Sequence, residues 1–154
     1  MDVKAVVFDF DGVFTDDKVL IDERGKESVV CSRSDGFGIL LLKEKGIPIL
    51  VLSKEVNPVV TRRCMKMDVR CAQGIDDKLA YLSVWLEKQN IPPEQTVYLG
   101  NDVNDMECLV YVGTSVVVAD AHPLAKRAAM YVLKNNGGNG AVRELCDMIL
   151  GGKL

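Results

Sequence analysis

The sequence is poor in the features that mark several functional classes. Basic residues do not outnumber acidic ones: 19 Lys and Arg stand against 22 Asp and Glu, a net charge of −3. A protein that grips nucleic acid carries a basic footprint, so no nucleic-acid partner is expected. No apolar run approaches the roughly 18 residues a membrane helix needs, and no membrane association is expected. Asp2 and Lys4 lead directly into a strand-like run, so no secretory leader is expected either. The five cysteines are odd in number and show no C-x-x-C spacing. They read as buried, reduced thiols of a cytoplasmic protein. His122 is the single histidine; it has no partner pattern, precedes Pro123 and reads as the structural start of a helix. Aromatic residues make up only 6% of the chain, whereas 48% is apolar, mostly Val, Leu, Ile and Ala. That balance favours sheet-plus-helix packing over an aromatic-rich binding module.

Short β-branched runs alternate with amphipathic stretches. Residues 3–10 form an apolar run that suits a fully buried central strand. Residues 18–21 and 27–31 flank Asp22-Glu23-Arg24-Gly25 and read as a β-hairpin. A helix is expected from a cap at Asp35 to about Lys45, ended by Gly46. Further strands are expected over 47–52, 68–71, 95–99 and 114–118, with an edge strand over 130–133. Helices are expected over 57–67, 76–89, 103–110, 123–129 and 141–150. Trp85 falls within one of them, as core or as a subunit contact. Strands separated by helices predict an α/β, Rossmann-like three-layer fold with a central parallel sheet. In such sheets the ligand crevice lies beyond the carboxyl ends of the strands. No linker, repeat or low-complexity segment interrupts residues 1–154, which read as one domain.

Four strand-end loops carry chemistry. Asp9-Phe10-Asp11-Gly12-Val13-Phe14-Thr15-Asp16 follows the first strand and sets two carboxylates two residues apart. Two like charges at a strand end are costly without a cation or a shared proton, and Gly12 permits a sharp turn. Gly100-Asn101-Asp102-Val103-Asn104-Asp105 follows another apolar strand and supplies the oxygen ligands that Mg²⁺ prefers. Asp102 also fits a helix N-cap. Ser53 follows a third strand, where a hydroxyl and loop amides hold a phosphate or simply start a helix. Lys78 stands at a helix start, against the helix dipole. A bound anion would explain it, and so would a solvated surface position.

Taken in order, these loops resemble the four motifs of the haloacid dehalogenase superfamily, over nearly the whole chain. The resemblance implies Mg²⁺-dependent phosphomonoester hydrolysis, with Asp9 as nucleophile and as metal ligand. It makes Asp11 the general acid and base, its backbone carbonyl a further metal ligand, and Ser53 and Lys78 the grip on the phosphoryl group. Asn101 completes the metal set, with Asp102 or Asp105 as substitute or supporting ligands. With only a hairpin and helix between Asp11 and Ser53, and a helix and short strand between Ser53 and Lys78, the chain resembles the subclass without a cap domain. In that subclass subunits of a homotetramer cover one another's sites, the hairpin forming part of the assembly.

Within the family the motifs are most similar to phosphatases of 3-deoxy-octulosonate 8-phosphate and of nonulosonate 9-phosphates. They also resemble the carboxyl-terminal module of some acylneuraminate cytidylyltransferases. Gly36-Phe37-Gly38-Ile39 and Gly140-Ala141-Val142-Arg143-Glu144 resemble segments of this group. Two positions depart from the phosphatases: Asn101 stands where they carry an acidic residue, and Ser53-Lys54-Glu55 where a Thr/Ser-Gly-Arg loop is usual. The expected substrate is a phosphorylated 2-keto sugar acid, with Arg33, Lys54 and Arg143 as candidates for its carboxylate. The alternative is an oligomerisation module beside a cytidylyltransferase, with weak or no catalysis.

Overall fold

The computed structural model describes residues 2–154. The chain runs through β1 (Ala5–Phe8), a hairpin of β2 (Leu20–Ile21) and β3 (Glu27–Ser28), α1 (Arg33–Glu44), β4 (Ile49–Leu52), α2 (Pro58–Met67) and β5 (Arg70–Ala72). It continues through α3 (Lys78–Gln89), β6 (Thr96–Gly100), α4 (Met106–Tyr111), β7 (Thr114–Val117), α5 (Pro123–Ala128), β8 (Tyr131–Val132) and α6 (Ala141–Leu150). The six main strands form one parallel sheet in the order β5-β4-β1-β6-β7-β8.

The strand sequences account for that order. β1, β4 and β7 are buried at every position, as strands covered on both faces must be. β1 pairs with β4 on one side (Val6↔Ile49) and with β6 on the other (Val6↔Val97). The chain lays β4 and β5 to one side of β1 and then returns to lay β6, β7 and β8 on the other. This reversal places a crevice at the carboxyl end of β1. Leu50, Leu52, Leu82, Leu86 and Leu99 are among the largest fully buried side chains of the core; truncating any one to alanine would cost about 2–5 kcal/mol. Trp85 lies in this core, and all five cysteines are free thiols, three of them buried.

The expected elements are present, with shifted ends. The first strand stops at Phe8 rather than residue 10 because the Phe10 carbonyl accepts the amides of Val13 and Phe14, at 3.2 and 2.9 Å. The chain is already turning there. The hairpin pairs only Leu20 with Ser28 and Ile21 with Glu27. Its turn is fixed by Asp22, whose Oδ1 accepts the amides of Arg24 and Lys26, both at 2.9 Å. Asp35 does not cap α1, which starts two residues earlier; its carboxylate accepts the Arg143 amide at 3.0 Å and ties α1 to α6. The helix expected over 103–110 opens as a 3₁₀ turn (Val103–Asp105), because Asp102 and Asp105 form a capping box that draws Asp105 inward. A further 3₁₀ turn, Pro93–Gln95, precedes β6.

Only the hairpin separates β1 from α1, and only α2 separates β4 from β5, so no cap is inserted at either place. The hairpin leaves Leu20 75% exposed, and Val30, two residues past it, is 80% exposed.

Candidate active site

Three parallel strands deliver their loops to one cleft of about 490 Å³. β1 brings Asp9 and Asp11, β4 brings Ser53, Lys54 and Glu55, and β6 brings Asn101 and Asp102, all of which line it. Asp17, Lys18 and Val19, at the base of the hairpin, complete the rim on one side.

Beneath the cleft lies a buried charge cluster. The Lys78 ammonium sits 2.9 Å from Asp9 Oδ1 and 2.8 Å from Asp105 Oδ1. It is held there because Asp77 caps α3 by accepting the Ala80 amide at 2.8 Å, setting Lys78 in the first turn. Lys78 is therefore not a surface lysine; two carboxylates compensate its unfavourable helix position. Burial alone would pull its ammonium toward the neutral form, but Asp9 and Asp105 outweigh this and raise its pKa.

Asp9 Oδ1 also accepts its neighbour's amide, from Phe10, at 2.7 Å. Among the described residues, Asp9 Oδ2 has no hydrogen-bond partner. Burial first, and the Asp105 charge second, raise the pKa of Asp9 against the opposing pull of Lys78. Asp11 is half-buried, and burial followed by the nearby Glu55 charge raises it to about 6. A carboxyl in that range holds or releases a proton close to neutral pH.

The Ser53 hydroxyl is buried, accepts the Glu55 amide at 3.1 Å and lies on the cleft wall. Asn101 is nearly buried; its amide donates to Asp105 Oδ2 at 2.9 Å and its carbonyl accepts the His122 amide at 2.7 Å. His122 in turn caps α5 through Nδ1. The side chain of Asn101 packs against Gly12, where any Cβ would run into Nδ2. Gly12 is thus needed twice, for its φ of +76° and for the room it leaves. Asp102 Oδ1 accepts the Val103 amide at 2.6 Å. Asp105 is fully buried and its oxygens are filled by Lys78, Tyr98 and the amides of Asn101 and Asp102, so it has no oxygen left to offer a metal directly.

Of the cations expected to meet a substrate carboxylate, only Lys54 lines the cleft. Arg143 is engaged elsewhere, with both its contacts to Asp147 at 2.9 Å and its guanidinium over the Phe37 ring. Arg33 is not among the lining residues either. Three features escaped the sequence reading: Tyr98 under the cluster, the Gly12–Asn101 contact, and the loop at Gly137 and Gly138 that closes behind Gly12 and Thr15. Gly138 donates to the Val13 carbonyl at 3.0 Å, and Gly137 leaves no space for a Cβ against the Gly12 carbonyl. The run of glycines was its only sequence signal.

Among the described residues no three His, Cys, Asp or Glu side chains gather as a metal cage. The side chains of Asp9, Asp11, Asn101 and Asp102, which line the cleft, offer carboxylate and amide oxygens of the type that suits a hard divalent cation.

A parallel sheet whose central strand ends in paired aspartates, with a buried lysine and a hydroxyl from neighbouring loops, defines a phosphatase-type hydrolase. Residues 72–145 match the model of the haloacid dehalogenase-like hydrolases. The chain belongs to that family and is a phosphomonoester hydrolase of its kind. It is 36% identical over 149 residues to the 3-deoxy-D-manno-octulosonate 8-phosphate phosphatase KdsC of Escherichia coli K12, covering 96% of this chain and 79% of the relative. A crystal structure of a HAD family hydrolase from Streptomyces avermitilis is 48% identical, with a TM-score of 0.95 over 99% of this chain and 87% of that one. The 3-deoxy-D-manno-octulosonate 8-phosphate phosphatase of Moraxella catarrhalis, solved in complex with magnesium ion, phosphate ion and KDO, is 29% identical with a TM-score of 0.94, covering 97% of this chain and 87% of that chain.

Proposed function

We propose that this protein is a Mg²⁺-dependent phosphatase of a phosphorylated 2-keto sugar acid, of the octulosonate 8-phosphate or nonulosonate 9-phosphate type, acting through an aspartyl-phosphate. The observation that carries the reading is the Lys78 ammonium, buried and shared between Asp9 and Asp105 at 2.9 and 2.8 Å, directly under a cleft lined by Asp11, Ser53 and Asn101. The likeness to phosphatases of a sugar-acid phosphate supports the substrate class.

Asp9 Oδ2, the oxygen without a hydrogen-bond partner among the described residues, attacks phosphorus while the ester P–O bond breaks. Asp11 gives its proton to the departing alkoxide. The same carboxylate then takes a proton from the water that attacks the aspartyl-phosphate, releasing phosphate and restoring Asp9. Lys78 and the Ser53 hydroxyl hold the phosphoryl oxygens as charge redistributes. Asp9, the Asp11 backbone carbonyl and Asn101 are the residues that would hold Mg²⁺, which supplies charge neutralisation at the phosphoryl oxygens. Asp102 stands near enough in sequence to Asn101 to support the metal through water, and Asp105 acts by orienting Lys78.

The exposed Leu20 and Ile21 of the hairpin, with Val30 just past it, suit burial against further copies of this chain, in keeping with a homotetramer. Free cysteines suit a cytoplasmic location. The convergence of nucleophile, acid, hydroxyl and lysine gives no support to an inert assembly module. The test is phosphate release, with and without Mg²⁺, from octulosonate 8-phosphate, two nonulosonate 9-phosphates and an aryl phosphate. Mg²⁺-dependent turnover of a sugar-acid phosphate that is lost in Asp9→Asn is expected. No turnover of any of them by folded protein at saturating Mg²⁺ would overturn the reading.

A further inference from the structure

Tyr98 lies in the middle of β6 and is fully buried, paired in register with Val7 of β1 and Ser115 of β7. Packing alone would be served there by phenylalanine, since a buried hydroxyl must recover the hydrogen bonds it loses to water. This hydroxyl donates to Asp105 Oδ1 at 2.7 Å. The same oxygen accepts Lys78 Nζ at 2.8 Å, while Oδ2 accepts the amides of Asn101 and Asp102 at 2.9 and 3.3 Å. Gly100 closes the arrangement: a Cβ on it would lie 2.5 Å from Asp105 Oδ2, so the carboxylate is pressed against bare backbone.

We propose that Tyr98 is a positioning residue for the phosphoryl-transfer site, its hydroxyl holding Asp105 Oδ1 and thereby keeping the Lys78 ammonium divided between Asp105 and Asp9; the proposal rests on the phosphatase reading above. The physical reason is competition for one cation. Asp105 is a buried anion whose charge is spread over four donors. Withdraw the Tyr98 donor, and Oδ1 must satisfy itself through Lys78 alone. The ammonium is then drawn toward Asp105 and away from Asp9, where the phosphoryl group arrives. Hydrogen bonds to an ionised partner are short and strong in a water-poor interior, so removing one redistributes the others. Tyr98 itself lines no part of the cleft, so it acts only through Asp105.

The test is Tyr98→Phe, with steady-state kinetics on the preferred phosphate ester, melting temperature and a high-resolution crystal structure. The expected result is kcat about tenfold lower with KM within about twofold of wild type, and Lys78 Nζ moved beyond about 3.5 Å from Asp9 Oδ1. Replacing Tyr98 with p-aminophenylalanine returns an N–H donor to the same place and restores kcat to within about threefold of wild type. Wild-type kcat in Tyr98→Phe, with Lys78 in place, would overturn the proposal. So would a loss in Tyr98→Phe that the amino analogue fails to reverse, which marks a packing role. Should Tyr98→Phe not fold, the amino analogue decides: near-wild-type kcat supports the proposal and a tenfold loss overturns it. If the wild type hydrolyses no phosphate ester, the functional reading falls, and the position of Lys78 in the Tyr98→Phe crystal still decides the role of Tyr98.

Discussion

Replacing Asp9 by asparagine is expected to move stability and turnover in opposite directions. Asp9, Asp105 and Lys78 are all buried, and their charges sum to −1 in the fully ionised, metal-free protein. Burial and the neighbouring Asp105 raise the pKa of Asp9 despite the lysine, so the second carboxylate destabilises the fold. Asparagine keeps the shape, and its Oδ1 still accepts from Lys78 and the Phe10 amide. It removes the desolvation cost and the repulsion. Relief of such a charge contributes about 1–3 kcal/mol, and each kcal/mol moves the melting temperature of a chain this size by about 2–4 °C. In chelator the variant is therefore expected to melt several degrees above wild type. A group whose folded pKa is raised favours the fold below its unfolded pKa and loses that contribution as pH rises. The advantage of Asp9→Asn thus grows from acidic toward alkaline pH. Lys78→Met does the reverse, leaving two buried carboxylates without their cation at a cost of about 3–5 kcal/mol. Both variants should lose turnover by on the order of 10³-fold or more. The assay is thermal unfolding of the three proteins in EDTA at several pH values, followed by Mg²⁺ titration. Wild type gains stability from the metal by linkage, and Asp9→Asn gains less. If Asp9→Asn melted below wild type in chelator at alkaline pH, the argument from carboxylate repulsion would be refuted.

Gly12→Ala forces a left-handed residue to carry a Cβ and pushes it into Asn101. The backbone strain costs about 1–2 kcal/mol, and Mg²⁺ binding should weaken with it, seen as a higher Mg²⁺ concentration for half-maximal turnover; an unchanged requirement would count against Asn101 as a ligand. Asn101→Asp restores a negative charge, so Mg²⁺ should bind about tenfold tighter by calorimetry, while the metal-free protein melts lower. Equal affinity in the two proteins would count against Asn101 at the metal. Asp35 is fully buried and burial raises it to about 6 from 3.8. Its contribution to stability is full below the unfolded value and lost as pH rises through the folded one, on the order of 3 kcal/mol across that window. Denaturant melts should therefore show Asp35→Asn gaining on wild type between about pH 4 and 6, and a constant difference would contradict the assignment.

The alternation of strand and helix was legible because it is local. An apolar run such as residues 49–52 suits the inside of a sheet, and a helix such as α6 shows its period directly. Element ends were less legible where a side chain served a distant partner. Asp35 has the residue type of a cap, yet its carboxylate is claimed by Arg143, 108 positions away. The candidate site was legible as four loops, since strand ends in a parallel sheet must open on the same edge. Its supporting contacts were not. Lys78 in isolation fits a solvated helix start, and nothing within ten residues marks the two carboxylates that enclose it.

Hydrophobic period and strand-end position are properties of short segments, so the sheet, the order of the loops and the chemical types near the cleft follow from residues close together in the chain. How those groups are charged and held depends instead on contacts made across the fold. The Lys78 ammonium between Asp9 and Asp105, the Tyr98 hydroxyl beneath them and the Asn101 side chain over Gly12 each join residues from different elements or opposite sides of a turn. A pKa or a fixed orientation is set by what lies within a few ångströms in space, and chain folding, rather than local spacing, brings those neighbours together.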